Sequence, residues 1–509
     1  MNLRIRDLSF STGGPFVAIM HKDDAKEIDL HAGDRIVVKK NGNEIISVVD
    51  LSEDHNIKKG EIGLFDEVLE RLNARKGNVN ISLAKRLKSL SYIRKKLEGK
   101  RLNKKEIFEI IKDVNSNNLN EVELTYFVSG CYGHGLNMQE VEYLTDAIVK
   151  AGHKLNLKKY PIVDKHSIGG IPGNRTTMIV VPIIASLGYT IPKTSSRAIS
   201  SPAGTADTME ALTQVNFNVK DIEKIVEKTN GCIVWGGAVD LASADDKMIK
   251  VRNPLRLDPE GLLLASIMAK KKAVNASHVL IDIPVGKGAK IERKKEARNL
   301  KRRFLKLGKD LKIKMKVIIT NGNEPIGNGI GPNLEAKDVL NVLMGKGPED
   351  LREKAIKMAT IILKMLNARD ARRRVLGSLD SGKAYEKMKE IIKAQKGNIF
   401  RPEQLKDAKF KKEIYAGKKG KITEVSNKDV SKIARIAGAP QDRTAGVYLN
   451  KKLKDKTNKD ELLFTVYSSS KKRLNYALEL VKERNPYIIS SGIFWHHPNK
   501  QLKELQKAE

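Results

Sequence analysis

The chain reads as an α/β protein with a helical lobe, a mixed α/β sheet lobe, an N-terminal small β-barrel domain and a C-terminal α+β domain. Three observations carry that reading. Apolar segments of strand length alternate with helical ones between residues 160 and 235. Two loops rich in small and hydroxyl residues follow strand-like segments: Asp164-Lys165-His166-Ser167-Ile168-Gly169-Gly170 and, about 25 residues on, the loop from Ser195 to Thr205. Residues 1–86, by contrast, alternate at period two between turn signals such as Gly33-Asp34 and Asn41-Gly42-Asn43.

The elements follow in order. Residues 1–86 predict a barrel-like β domain without catalytic chemistry, suited to oligomerisation or scaffolding. Residues 87–159 turn to helical spacing in "NKKEIFEIIKDVNSNNL" and "NMQEVEYLTDAIVKAGH", with Gly152 as a stop signal. Residues 160–241 give "KYPIVDKHS", "TTMIVVPIIASLG", "TIPKTSS", "TADTMEAL" and "CIVWGG", strand and helix in turn, which predicts a mainly parallel sheet. Residues 242–277 return to helix and 278–411 resume the sheet with "HVLIDIPVG" and "KMKVIITNG". The helical lobe is therefore interrupted in sequence by the sheet lobe. The two lobes are expected to face each other across a cleft, hinged near 154–160 and 236–243. Residues 412–509 form the C-terminal α+β domain.

Composition narrows the function. Lys and Arg total 95 against 61 Asp and Glu, a formal charge of +34. Such a field attracts anions. The cations interleave with acids along the whole chain and bring no nucleic-acid-binding signature, so a nucleic-acid partner is not expected. The lysine-rich, cysteine-poor composition fits a heat-adapted protein. Two cysteines, Cys131 and Cys232, exclude a disulfide framework and a cysteine-rich zinc site, and both read as inert buried thiols. No apolar run is long enough to span a bilayer, and no secretory signal pattern opens the chain; the expectation is a cytoplasmic protein without a membrane partner. The basic run Lys287–Lys316 carries Leu300, Phe304 and Leu307 at helical spacing, which predicts a helix with a buried stripe and a solvated cationic face.

The two loops hold the chemistry. Glycine lets backbone N–H groups approach an anion, a helix N-terminus favours negative charge, lysine adds a cation and serine neutral donors. Two such loops suggest an enzyme that handles two phosphate groups. Asp258, in "RLDPEG", is either a proton donor or the cap of the helix that follows. Histidine as a residue type exchanges protons near neutrality, which makes His166 the rival acid; its plainer role is an orienting hydrogen bond. Ser266 and Lys270 lie four apart on one helix face.

The segments "DKHSIGG", "SSRAISSPAGTADTME", "VRNPLRLDPEGLLLASIMAKK" and "DIPVGKGAK" together resemble the thymidine and pyrimidine-nucleoside phosphorylase family over roughly residues 87–505, and in particular its archaeal AMP phosphorylase branch, whose members carry an extra N-terminal domain. The resemblance implies a class II nucleoside phosphorylase fold and phosphorolysis of nucleoside 5′-monophosphates, AMP and also CMP and UMP, to free base and ribose 1,5-bisphosphate in nucleotide salvage. The alternative it leaves is a phosphorylase of unphosphorylated pyrimidine nucleosides. By motif position, Lys165, Ser167, Ser195 and Thr205 grip the attacking phosphate. Gly170, Ser196, Arg197, Ala198, Ile199, Ser200, Ser201, Thr205, Arg252, Ser266, Lys270 and Lys290 contact the nucleotide. Asp258 becomes the proton donor, with burial or a nearby anion expected around it. Ile168, Ser196, Ala198 and Thr208 depart from the residues usual in nucleoside phosphorylases and redraw the pocket toward a second anion. No cofactor or metal is implied; the partners are AMP, inorganic phosphate and further copies of the chain in a homodimer or larger homo-oligomer.

Overall fold

The computed structural model describes residues 1–490 apart from 14–15, 54–55, 199–200, 240–241, 253 and 256. They form two compact units, Met1–Lys154 with Asp240–Ala273, and Leu155–Val239 with Val274 onward.

The first unit opens with a closed six-stranded barrel. Its strands are β1 (Asn2–Asp7), β2 (Val17–His21), β3 (Arg35–Lys40), β4 (Asn43–Ser52), β5 (Glu61–Leu64) and β6 (Asn78–Leu83), joined in the order β1-β5-β2-β4-β3-β6. The period-two residues Leu3 and Ile5, Ala18 and Met20, Ile36 and Val38, Val79 and Ile81 all point into one core. Closure leaves no sheet edge to pair with a stranger. Two short helices, Lys22–Glu27 and Asp66–Leu72, add Ala25, Val68, Leu69 and Leu72 to that core. At 6 and 7 residues they are shorter than any window in which helical spacing stands out.

The same unit holds the helices Lys88–Leu97, Lys104–Asn115, Glu121–His134, Met138–Ala151, Ser243–Arg252 and Glu260–Ala273. Three of them start with the same device: Asn103, Asn120 and Asn137 each accept the N–H of a glutamate three residues on, whose carboxylate returns to the asparagine N–H. All three capping glutamates are also ion-pair partners, Glu106 of Lys95, Glu123 of Arg35 and Glu140 of Lys96. Glu140 sits 3.0 Å from Lys96 Nζ, their side chains only 3% and 2% exposed, and it accepts from Leu102 N as well.

In the second unit, five strands run parallel: β7 (Val163–Ser167), β8 (Ile191–Ser195), β9 (Gly231–Trp235), β10 (His278–Val285) and β11 (Lys314–Asn321). β10 lies between β11 and β7, β8 pairs with β9, and a parallel bridge from Ile162 to Thr190 joins β7 to β8. The spatial order is thus 11-10-7-8-9. Chain order reverses between β7 and β10, and loops leaving the carboxyl ends on either side of such a point diverge and leave a crevice for a ligand. The helix Thr176–Ser186 is buried along its length and packs on the helices Glu349–Met365 and Lys383–Ala394. That explains an apolar run without a polar face. In the basic run, Lys294–Asp310 buries Ala297, Leu300, Phe304 and Leu307 and exposes cations. The chain then forms an antiparallel four-stranded sheet and a three-stranded one around their own core, where Phe464 and Tyr487 stack 5.5 Å apart.

The Lys96–Glu140 pair gives a stability test. Lys96→Ala should cost about 3–5 kcal/mol, because it strands a buried carboxylate. Lys96→Met with Glu140→Gln removes both charges and should cost much less. Urea unfolding of the two variants checks this; equal losses would place the cost in packing instead.

Candidate active site

The carboxyl end of β7 starts the first loop. Lys165 is 1% exposed, and its ammonium donates to Thr176 Oγ1 at 2.7 Å and Thr177 Oγ1 at 3.1 Å, both at the start of the next helix. Burial pushes its pKa down to about 7; Asp282 opposes that shift, while Lys354, Lys193 and Arg175 add to it. The site is therefore crowded with positive charge before any ligand arrives. Ser167 is partnered in register with Asp282 on β10, and its hydroxyl donates to Asp282 Oδ2 at 2.9 Å. Asp282 is fully buried, accepts Thr320 Oγ1 at 2.6 Å and lies 3.1 Å from Lys354 Nζ. His166, next to Lys165 on β7 and opposite Ile281 in register, is half-buried.

Gly170 closes the loop at φ +102°, and a side chain there would place Cβ 2.3 Å from the backbone nitrogen of Lys290. Only glycine permits that approach. It locks the first loop against the β10 loop, where Lys290 N–H reaches Gly169 O at 3.4 Å.

The second loop leaves β8 at Ser195. The Ser195 hydroxyl is buried and has no hydrogen-bond partner among the described residues, and Thr194 beside it is in the same state. An orphan buried hydroxyl costs about 1–3 kcal/mol. Such a cost is tolerable where a ligand supplies the partner. Asp207 organises the rest: one carboxylate oxygen accepts Ala198 N at 2.7 Å and Gly204 N at 2.8 Å. A Cβ on Gly204 would meet Ser196 O at 2.6 Å, so the loop folds tightly on itself. Arg197 forks onto Glu210 with two contacts of 2.7 Å and stacks over Trp235 at 4.8 Å. Ser196 is exposed and Ser201 donates to Ala203 O at 3.0 Å. Ile199 and Ser200 lie outside the described residues.

Arg175 ties the two loops together. Its guanidinium reaches Thr205 Oγ1 at 3.5 Å, Ala203 O at 2.5 Å and Thr208 Oγ1 at 3.1 Å, and pairs with the buried Glu335. Lys165 joins the same network through Thr176, which donates to Asn174 Oδ1 at 3.1 Å.

The candidates in the other unit form their own group. Ser266 Oγ and Lys270 Nζ both reach Asp245 Oδ2, at 2.6 and 2.9 Å, so their four-residue spacing serves a shared carboxylate. Arg252 is buried, with one guanidinium nitrogen lacking a hydrogen-bond partner among the described residues. Asp258 is exposed, so its own unit does not provide the burial expected around it. The first bond of the following helix runs from Leu263 N–H to Pro259 O, which sets Asp258 one residue outside the cap position.

Sequence reasoning missed Asp282, Asp207, Asp245 and Arg175. Asp282 carried a usable signal, a lone acid inside the apolar strand "HVLIDIPVG". Asp207 and Asp245 lie in the first turns of their helices, where acids are common, and Arg175 stands in no recognisable pattern, so none of the three carried a distinguishing signal. Both cysteines are buried free thiols, pushed by burial up to about 12, and are unreactive there.

Removing an orphan hydroxyl should stabilise. Ser195→Ala is expected to hold or raise the melting temperature, by up to roughly 1–3 kcal/mol of stability, while phosphate-dependent activity falls. A variant that is less stable and equally active would assign Ser195 to structure.

Comparison with known proteins agrees with this layout. Residues 159–385 match the model for the glycosyl transferase family a/b domain, 90–152 its helical bundle domain, and 421–487 the pyrimidine nucleoside phosphorylase C-terminal domain. The AMP phosphorylase of Methanocaldococcus jannaschii is 42% identical over 488 residues, covering 95% of this chain and 96% of its own. That of Pyrococcus furiosus is 43% identical over 499 residues, covering 97% and 99%. Among solved structures, anthranilate phosphoribosyltransferase from Thermus thermophilus aligns with a TM-score of 0.51 at 16% identity, over 60% of this chain and 99% of its own, which is a likeness of fold alone.

Proposed function

The chain belongs to the AMP phosphorylase family, and from that premise we propose that it cleaves AMP, with CMP and UMP as further substrates, using inorganic phosphate. The products are the free base and ribose 1,5-bisphosphate. The observation that carries the reading is the pair of loops at the carboxyl ends of β7 and β8, the first with a buried lysine and the second with a buried serine hydroxyl that has no hydrogen-bond partner among the described residues.

The roles follow from charge. As the C1′–N bond breaks, its electrons move to the base and the ribose ring becomes cationic. A phosphate oxygen then forms the new bond to C1′. Lys165, Ser167, Ser195 and Thr205 hold that phosphate; charge-assisted bonds of this kind contribute about 1.5–3 kcal/mol each. Holding both reactants makes attack effectively unimolecular. Gly170, Ser196, Ala198, Ser201, Lys290, Arg252, Ser266 and Lys270 contact the nucleotide. Arg197, engaged with Glu210 and Trp235, serves through the shape it gives the loop. Asp258 protonates the leaving base, and His166 orients the phosphate. Helix Glu121–His134 leaves Val122, Tyr126 and Tyr132 exposed, which supports assembly into a homodimer or larger homo-oligomer. No described helix is long and apolar enough to cross a membrane, in keeping with a cytoplasmic role.

Two measurements test this. AMP should release adenine only with phosphate present, and adenosine should be a far poorer substrate; Asp258→Asn should then lower kcat by roughly 10²–10⁴ with AMP binding retained. Near-normal kcat in that variant would move the proton to His166. The second concerns pH. Lys165 holds phosphate only as the ammonium, and with its pKa pushed down to about 7 the charged fraction falls as pH rises through neutrality. The KM for phosphate should rise above pH 7. Lys165→Arg, which stays charged, should flatten that rise whatever its effect on the maximal rate.

A further inference from the structure

A cavity of about 580 Å³ opens beyond the end of β11, walled by the loop after Asn321 and by helix Glu349–Met365. Its charge is uneven. Its acids are engaged: Glu324 accepts Leu453 N at 2.9 Å, Asp350 lies 3.1 Å from Lys452 Nζ, and Glu353 lies 3.6 Å from Arg352. Its exposed cations Lys357, Lys364 and Arg372 have no ion-pair partner among the described residues. Lys354, with a side chain 10% exposed, stands at the inner end, where it pairs with Asp282. An independent observation points the same way. Thr360 lines the cavity, is 9% exposed, and its hydroxyl finds no hydrogen-bond partner among the described residues.

We propose that this cavity is a second anion site, built for inorganic phosphate or a small sugar phosphate. The three exposed cations would hold the charge and Thr360 would donate its hydroxyl proton to an anion oxygen. The site is separate from the two phosphate loops. Asp282 stands between them, taking Ser167 on one side and Thr320 and Lys354 on the other.

Titration calorimetry of the full chain with inorganic phosphate, and separately with ribose 5-phosphate, decides it. The wild-type chain should show two classes of phosphate site. Lys357→Ala with Arg372→Ala should weaken one class at least tenfold and leave the other within twofold; Thr360→Val, which changes no charge, should weaken the same class severalfold. Ser195→Ala should weaken only the other class. The arm that binds more tightly at the cavity in the Ser195→Ala background names the source of the anion. A single class in the wild-type chain, or two that both survive the double substitution, overturns the proposal. If Ser195→Ala leaves both classes intact, the catalytic reading is at fault instead, and the double variant still decides the cavity.

Discussion

The buried carboxylate of Asp282 is the constraint on which the carboxyl end of the sheet depends. It sits on the strand beside the switch point, fully enclosed, and is bonded by two hydroxyls and one ammonium. An unpaired charge in that position would cost several kcal/mol. Asp282 is also the negative charge that most sustains Lys165 against its own burial. Ser167 has a single hydroxyl proton, and here it goes to Asp282. To donate to a phosphate, Ser167 must exchange one acceptor for the other, and Lys354 remains to neutralise the carboxylate it leaves. The acid that accepts the Ser167 hydroxyl is thus the same one that favours the charged form of Lys165.

The two loops reach their shape by opposite means. The first is forced by close approach: Gly170 lets it lie against the backbone of Lys290. The second is pulled together by one side chain, Asp207, whose carboxylate collects Ala198 and Gly204 N–H groups. Arg175 then couples both to Glu335. Positioning of this kind supplies rate only when it is held to a fraction of an ångström.

Much of the sheet lobe was legible because its signals are local. Strand segments such as "HVLIDIPVG" and "CIVWGG" are mostly apolar, short and bounded by turn residues, and the structure has strands there. Both phosphate loops stood out for the same reason. The partners of the candidate residues were not legible, since Asp245 meets Ser266 and Lys270 only through helix packing. The spacing of Ser266 and Lys270 announced a shared face without saying what lay on it. Arg197 illustrates the converse. A cation in a phosphate loop invites a role on phosphate, yet Glu210 and Trp235 hold it. Asp258 could not be read as a cap with confidence for a related reason: proline fills the first position of a helix well, and here the chain starts its helix one residue later than the Asp-Pro pair suggests.

The site accepts local costs that a purely structural fold would shed. Lys165 is buried against its preference for water, and Ser195 and Thr194 keep hydroxyls without partners among the described residues. Lys193 and Lys354 crowd the same sheet end, each beside one buried carboxylate, Asp164 or Asp282. Replacing these groups by apolar ones of like size would relieve desolvation and strengthen the core. On the proposed reading, a phosphate dianion at the loops would relieve the same stress differently, by giving Lys165 a counter-charge and Ser195 an acceptor. The local cost in the fold and the proposed affinity for phosphate would then be one property of the same few residues.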